Sequence, residues 1–81
     1  MDMPLNLQSL PPEALDVLRF FGATGQTSAH ADEITDRADL SDRAFGLAIR
    51  RLVTKGYLIM DGDQIYRMSD SGKRAVADLL E

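Results

Sequence analysis

The chain has 81 residues, of which 44% are hydrophobic and 27% are charged, and its formal net charge is −4. This length suits one small domain, and the composition is that of a globular protein rather than a disordered one. The chain has no cysteine, which excludes disulfides and cysteine-based metal sites. Its apolar runs are too short to span a membrane and its N-terminus lacks a secretory signal, so we expect a cytoplasmic protein.

Residues 1–10 are predicted to form an N-terminal arm, and residues 11–81 a single folded domain. The paired prolines that open this domain fit the first turn of a helix, where a missing N–H costs little. Gly22 and Gly25 are expected to end this first helix. Its apolar stripe has the spacing i, i+3, i+4, i+7 and consists of Ala14, Val17, Leu18 and Phe21.

A short second helix is predicted within residues 27–38. Thr27 or Ser28 is expected to cap it, and Asp32 and Glu33 suit the positive end of its dipole. A tight turn with Leu40 directed inward should follow. The apolar face of the second helix consists of Ala31, Ile34 and Ala38.

A third helix is predicted over residues 41–55. Ser41 is a good N-cap, and a cation followed by a glycine, Lys55 and Gly56, is typical of a helix end. Its predicted core face consists of Phe45, Ala48, Ile49 and Leu52. Successive residues of a helix are rotated by about 100°. The face opposite the predicted core therefore carries Arg43, Leu47, Arg50 and Thr54, with Gly46 and Arg51 on its flanks.

Two short strands are predicted over residues 57–60 and 64–69, which are rich in aromatic and aliphatic side chains. The Asp-Gly-Asp sequence between them predicts a hairpin turn. Ser69 or Asp70 should cap a last helix, with its apolar face formed by Ala75, Val76 and Leu79. The predicted fold is therefore mainly α with a small β-hairpin, in the order helix, helix, helix, hairpin, helix.

Two helices joined by a tight turn and followed by a hairpin form a winged helix-turn-helix. The segments EITDRADLSDRAFGLAIRRLVTKGYL and YRMSDSGKRAV resemble the winged helix-turn-helix repressors of the MarR and PadR kind. The resemblance covers about residues 11–80 and implies a transcriptional regulator that binds double-stranded DNA, with its third helix in the major groove. The matching positions are Glu33, Ile34, Leu40, Ser41, Leu52, Gly56, Tyr57, Leu58, Tyr66, Met68, Ser69 and Gly72.

This interpretation assigns DNA contacts mainly to the third helix. Arginine there donates two hydrogen bonds to guanine O6 and N7, although exposed arginines are also common on surfaces without a partner. The candidate DNA-binding residues are Arg43, Leu47, Arg50, Arg51, Thr54, Lys55 and, in the hairpin, Arg67.

The alternative interpretation is a protein-interaction module that does not bind DNA, because one fold serves many functions. It would use Leu47 as an apolar anchor, the open helix backbone at Gly46, and an acidic hairpin tip with Asp61 and Asp63. DNA-binding wings typically carry arginine or lysine instead. Residues 30–55 contain five acids and five bases, so the whole negative charge of −4 lies outside the motif.

No enzyme, cofactor or metal site is predicted. His30, the one histidine, has no nucleophile arranged around it and is expected to be a surface or capping residue, and the two hairpin aspartates are turn formers. The resemblance also implies a homodimer through the first and last helices. Phe20, off the first stripe, and Leu80, beside the last one, would supply surplus apolar surface. Because the helical pattern continues into ADLLE, we expect a longer parent chain.

Overall fold

The computed structural model describes residues 9–80. Most of the predicted N-terminal arm therefore lies outside the described residues, but Leu10 is 5% exposed and belongs to the core. The described residues form four helices and three strands: α1 (Pro12–Thr24), β1 (Ser28–His30), α2 (Ala31–Ala38), α3 (Asp42–Thr54), β2 (Leu58–Met60), β3 (Ile65–Met68) and α4 (Asp70–Leu80).

The described chain is mainly helical with a small antiparallel sheet in the order β1-β3-β2. The predicted four helices and hairpin are confirmed, but β1 was not predicted. Its three residues have no strand pattern of their own, and it exists because β3 pairs with it, with Ser28 opposite Arg67 and His30 opposite Ile65.

The predicted cap of α2 is wrong, because Ser28 lies in β1. His30 caps α2 instead, its Nδ1 accepting a hydrogen bond from the backbone N–H of Asp32 at 3.1 Å. The expectation that His30 is a surface or capping residue is therefore confirmed, since His30 is exposed and caps α2. At its other end α2 stops at Asp39, which has a left-handed φ of 55°.

The predicted stripe of α1 is buried as expected, with each of its four residues at most 1% exposed. Gly25 ends the helix with φ of 73°, but Gly22 lies inside the helix, contrary to the prediction. A Cβ at Gly22 would lie 2.8 Å from Leu80 Cδ1 and 3.0 Å from Val76 Cγ1. Gly22 therefore allows α4 to pack closely on α1.

Phe20 is also part of the core, although the apolar stripe omits it. It is 5% exposed, and its ring meets that of Phe21 edge to face at a centroid distance of 5.2 Å. The prediction that Phe20 offers free apolar surface for a dimer is therefore wrong. The reason is that neighbouring elements widen the buried face of α1 beyond a single stripe.

The hairpin joins β2 and β3 with Leu58 opposite Met68 and Met60 opposite Tyr66. The N–H of Asp61 donates to the carbonyl of Ile65 at 2.7 Å, which closes the loop. Tyr66 and Met68 point into the core, so the alternating residue, Arg67, lies on the opposite, exposed face of the sheet.

Helix α4 begins after Ser69, which is its N-cap as predicted. The Ser69 hydroxyl accepts a hydrogen bond from the N–H of Gly72 at 3.0 Å and donates to the carbonyl of Gly56. Gly72 packs against the chain at Tyr57, whose carbonyl oxygen a Cβ would overlap. Among residues 9–80, no helix combines the length and apolar character needed to cross a membrane.

Candidate nucleic-acid interface

Helix α3 has the rotational phase that its sequence predicts. The Ser41 hydroxyl accepts a hydrogen bond from the N–H of Ala44 at 3.1 Å, which caps the helix. The residues directed into the core are those expected from the periodicity, and Leu52 among them is fully buried. They are Phe45, Ala48, Ile49 and Leu52.

The outer face of α3 consists of the six candidate residues that the helix and its C-cap carry. All six are exposed, and Leu47 is 55% exposed. Five of them line one shallow depression of about 400 Å³, whereas Arg43 lies one turn before Leu47. The six residues are Arg43, Leu47, Arg50, Arg51, Thr54 and Lys55.

The outer face of α3 is positively charged although the chain is acidic. Within residues 9–80 none of its four cations forms an ion pair, since the arginines paired with carboxylates there are Arg19 and Arg67. The one carboxylate of α3 is Asp42, in its first turn. The positive charge therefore concentrates along the C-terminal half of the helix, where Arg50, Arg51 and Lys55 lie.

Gly46 leaves a notch beside this face. It is exposed, and a Cβ there would meet nothing within 4 Å. The notch opens into a groove of about 480 Å³ between α2, α3 and the hairpin. The rings of Phe45 and Tyr66, 5.8 Å apart and edge to face, join α3 to β3 at this groove.

Gln64 is a groove residue that the sequence analysis missed. It lines the groove together with Gly46 and Arg50. A left-handed φ of 61° at Gln64 results from the reversal of the chain after Asp-Gly-Asp. Its position directly after that turn sequence is the one signal that points to it.

Arg67 does not join the other candidates. It lies on β3 opposite Ile59 on one side and Ser28 on the other, on the exposed face of the sheet. Its Nε donates to Asp61 Oδ2 at 3.3 Å. The one base of the hairpin is therefore paired with an acid at the hairpin's own tip, and that ion pair partly neutralises its charge.

The remaining acidic residues offer no built metal site. Within the described part of the chain, no three His, Asp or Glu side chains lie close enough together to hold a metal ion. Asp32 and Asp42 line the groove beside Gly46 without a third carboxylate.

Neither the protein-family models nor the curated proteins match the chain. The resemblance to MarR and PadR repressors therefore remains an expectation from motif positions 33–72, and the outer face of α3 is the candidate interface.

Proposed function

We propose that the chain is a winged-helix domain of the MarR and PadR kind that binds double-stranded DNA as a transcriptional regulator. In this proposal α3 enters the major groove. The observation that supports it is the outer face of α3, which carries four exposed cations without ion-pair partners among residues 9–80. Charge on the contacting face, rather than net charge, determines affinity for phosphate.

Unpaired arginines suit this role because binding does not first have to break an internal ion pair. A guanidinium donates in parallel to guanine O6 and N7, or to phosphate oxygens. Thr54, in the same depression as Arg50 and Arg51, adds a hydroxyl donor for phosphate. The outer face of α3 therefore carries both base-reading and backbone-positioning groups.

The charge distribution along α3 favours contact through its C-terminal half. Asp42 occupies the first turn, and the preceding helix exposes Asp32, Glu33 and Asp36. These carboxylates repel phosphate, whereas Arg50, Arg51 and Lys55 attract it. We therefore propose that the start of α3 lies away from the DNA backbone.

The test is a duplex DNA titration with two matched arginine variants. Arg50→Ala removes a charge from the outer face of α3, and Arg74→Ala removes the same charge from the exposed surface of α4. Arg50→Ala should weaken binding by roughly 1–3 kcal/mol, and Arg74→Ala should leave it nearly unchanged. Equal losses would indicate only non-specific attraction, and no binding at low salt would contradict the proposal.

A second candidate function is protein interaction, and Leu47 is the observation that favours it. Leu47 is 55% exposed on the outer face of α3, as expected for an apolar anchor. The pairing of Arg67 with Asp61 also leaves the hairpin tip without an unpaired base. If the face holds a protein, Leu47→Ala should weaken that complex more than Arg50→Ala does, and neither variant should bind duplex DNA.

A further inference from the structure

Leu47 is an aliphatic side chain surrounded by cations. It is 55% exposed, whereas the next residue, Ala48, is fully buried. Arg43 precedes it by four residues, and Arg50 and Arg51 follow it by three and four. At these spacings the Cβ atoms lie roughly 5–6 Å from that of Leu47. Leu47 therefore has arginine neighbours one turn before it and one turn after it on the helix.

The apolar side chain of Leu47 favours contact with only some of the chemical groups that base pairs expose in the major groove. Leucine has no donor or acceptor, so a polar base atom covered by it would lose its hydrogen bond to water. The apolar group on the major-groove edge is the C5 methyl group of thymine, and 5-methylcytosine carries the same group at the same position. A methyl-bearing pyrimidine therefore complements Leu47, and guanine complements the neighbouring arginines.

Gly46 supports close approach at this point of the helix. A Cβ there would meet nothing within 4 Å, so packing among the described residues does not require glycine. Glycine is less favourable than alanine inside a helix. Glycine beside Leu47 leaves the helix backbone exposed, so that DNA in contact with Leu47 can approach the helix closely.

We propose that Leu47 determines base specificity by packing against the C5 methyl group of a pyrimidine in the major groove. The inference rests on the proposed DNA-binding function and adds the kind of base that Leu47 recognises. The arginines of the same face lie roughly 5–6 Å away, and base pairs are about 3.4 Å apart. The guanine read by Arg50 is therefore one or two base pairs from the methyl-bearing pyrimidine.

The experiment begins with selection of a binding site from random duplexes, using the whole 81-residue chain. Each thymine in the selected site is then replaced by deoxyuridine, which removes the methyl group and keeps the base pair. For the wild-type chain, replacement at one position near a guanine should weaken binding about fourfold, as expected for loss of one buried methyl-sized group.

Two variants distinguish the contact between Leu47 and the methyl group from the overall affinity for duplex DNA. Leu47→Ala should bind the thymine and deoxyuridine duplexes equally, whereas Arg74→Ala should discriminate as the wild type does. Equal wild-type affinity for both duplexes, or a selected site without thymine, overturns the role of Leu47 while leaving DNA binding intact. Absence of duplex binding at low salt overturns the proposed function itself, and the role of Leu47 falls with it.

Discussion

Gly72 and Gly46 are helical glycines in opposite environments. Gly72 is buried in the first turn of α4, where a Cβ would overlap the carbonyl oxygen of Tyr57. Gly46 lies on the exposed side of α3, where a Cβ would meet open space. The obstacle at Gly72 is backbone, which cannot rotate away as a side chain can. Gly72 is therefore required for packing, and Gly46 is not.

We predict that Gly72→Ala destabilises the domain by about 1–3 kcal/mol, because the added methyl group overpacks a rigid contact. Gly46→Ala, the matched control, should stabilise it by about 0.5–1 kcal/mol through helix propensity alone. Urea denaturation of both variants measures the difference. A Gly72→Ala variant as stable as the wild type would show that the start of α4 moves freely away from Tyr57.

At the level of elements, two serines cap helices but differ in what they connect. Ser41 caps α3 through one hydrogen bond, to the N–H of Ala44. Ser69 caps α4 through the N–H of Gly72 and also donates to the carbonyl of Gly56, just beyond α3. Ser69 therefore links the end of one helix to the start of another, whereas Ser41 acts within a single helix.

Removing each hydroxyl should show this difference. Ser41→Ala should cost about 1 kcal/mol, the usual cost of losing an N-cap. Ser69→Ala should cost about 0.5–1.5 kcal/mol more, the net contribution of one further hydrogen bond. Ser69→Thr keeps the hydroxyl and should recover most of the loss. Thermal or urea unfolding provides the measurement, and equal costs for the two alanine variants would contradict a linking role for Ser69.

At the scale of the whole molecule, charge is separated between surfaces. The net charge is −4, yet the outer face of α3 carries four cations, and the acids lie mainly on α2, the hairpin tip and the other helices. We expect DNA to be repelled by the acidic surfaces and attracted by the outer face of α3. We therefore expect weak non-specific binding and a shallow dependence on salt.

The expected salt dependence can be expressed as a slope of the logarithm of affinity against the logarithm of salt concentration. The logarithm of affinity should fall with the logarithm of salt concentration by about 0.9 per phosphate contact, hence by no more than about 3.6 per protomer for four cations. Arg50→Ala should make the slope shallower by up to about 0.9 if that residue contacts phosphate. Titrations at several salt concentrations test this. Affinity that does not change with salt would contradict phosphate contact by the outer face of α3.

At the same scale, we propose that the molecule forms a homodimer through α1 and α4. With Phe20 buried, the large exposed hydrophobic side chain on these two helices is Leu80, which is 58% exposed. We expect sedimentation at micromolar concentration to show a dimer and Leu80→Ser to weaken it, because exposed apolar surface of this kind favours association. A wild-type monomer at high concentration would contradict the dimer and weaken the repressor interpretation.

The helices and their faces could be predicted from the amino-acid sequence, because the signals for them are local. The Ser41 cap and the spacing of Phe45, Ala48, Ile49 and Leu52 set the phase of α3, and exposure of Leu47 and Arg50 follows from that phase. The hairpin could also be predicted, because the sequence Asp-Gly-Asp between two short apolar segments is a local turn signal. Most of the candidate interface could therefore be predicted before any fold was known.

Tertiary structure alone decided the features that depend on a partner distant in sequence. Ser28 becomes part of a strand because β3 supplies its hydrogen bonds, and Phe20 is buried because neighbouring elements cover it. Gly22 lies where α4 packs on α1, so a Cβ there would meet Leu80 and Val76. Arg67 is not part of the candidate interface because strand alternation places it on the exposed face of the sheet, beside Asp61. The periodicity of a sequence predicts on which face of its own helix or strand a side chain lies. The residues that contact this side chain depend on how the helices and strands pack together.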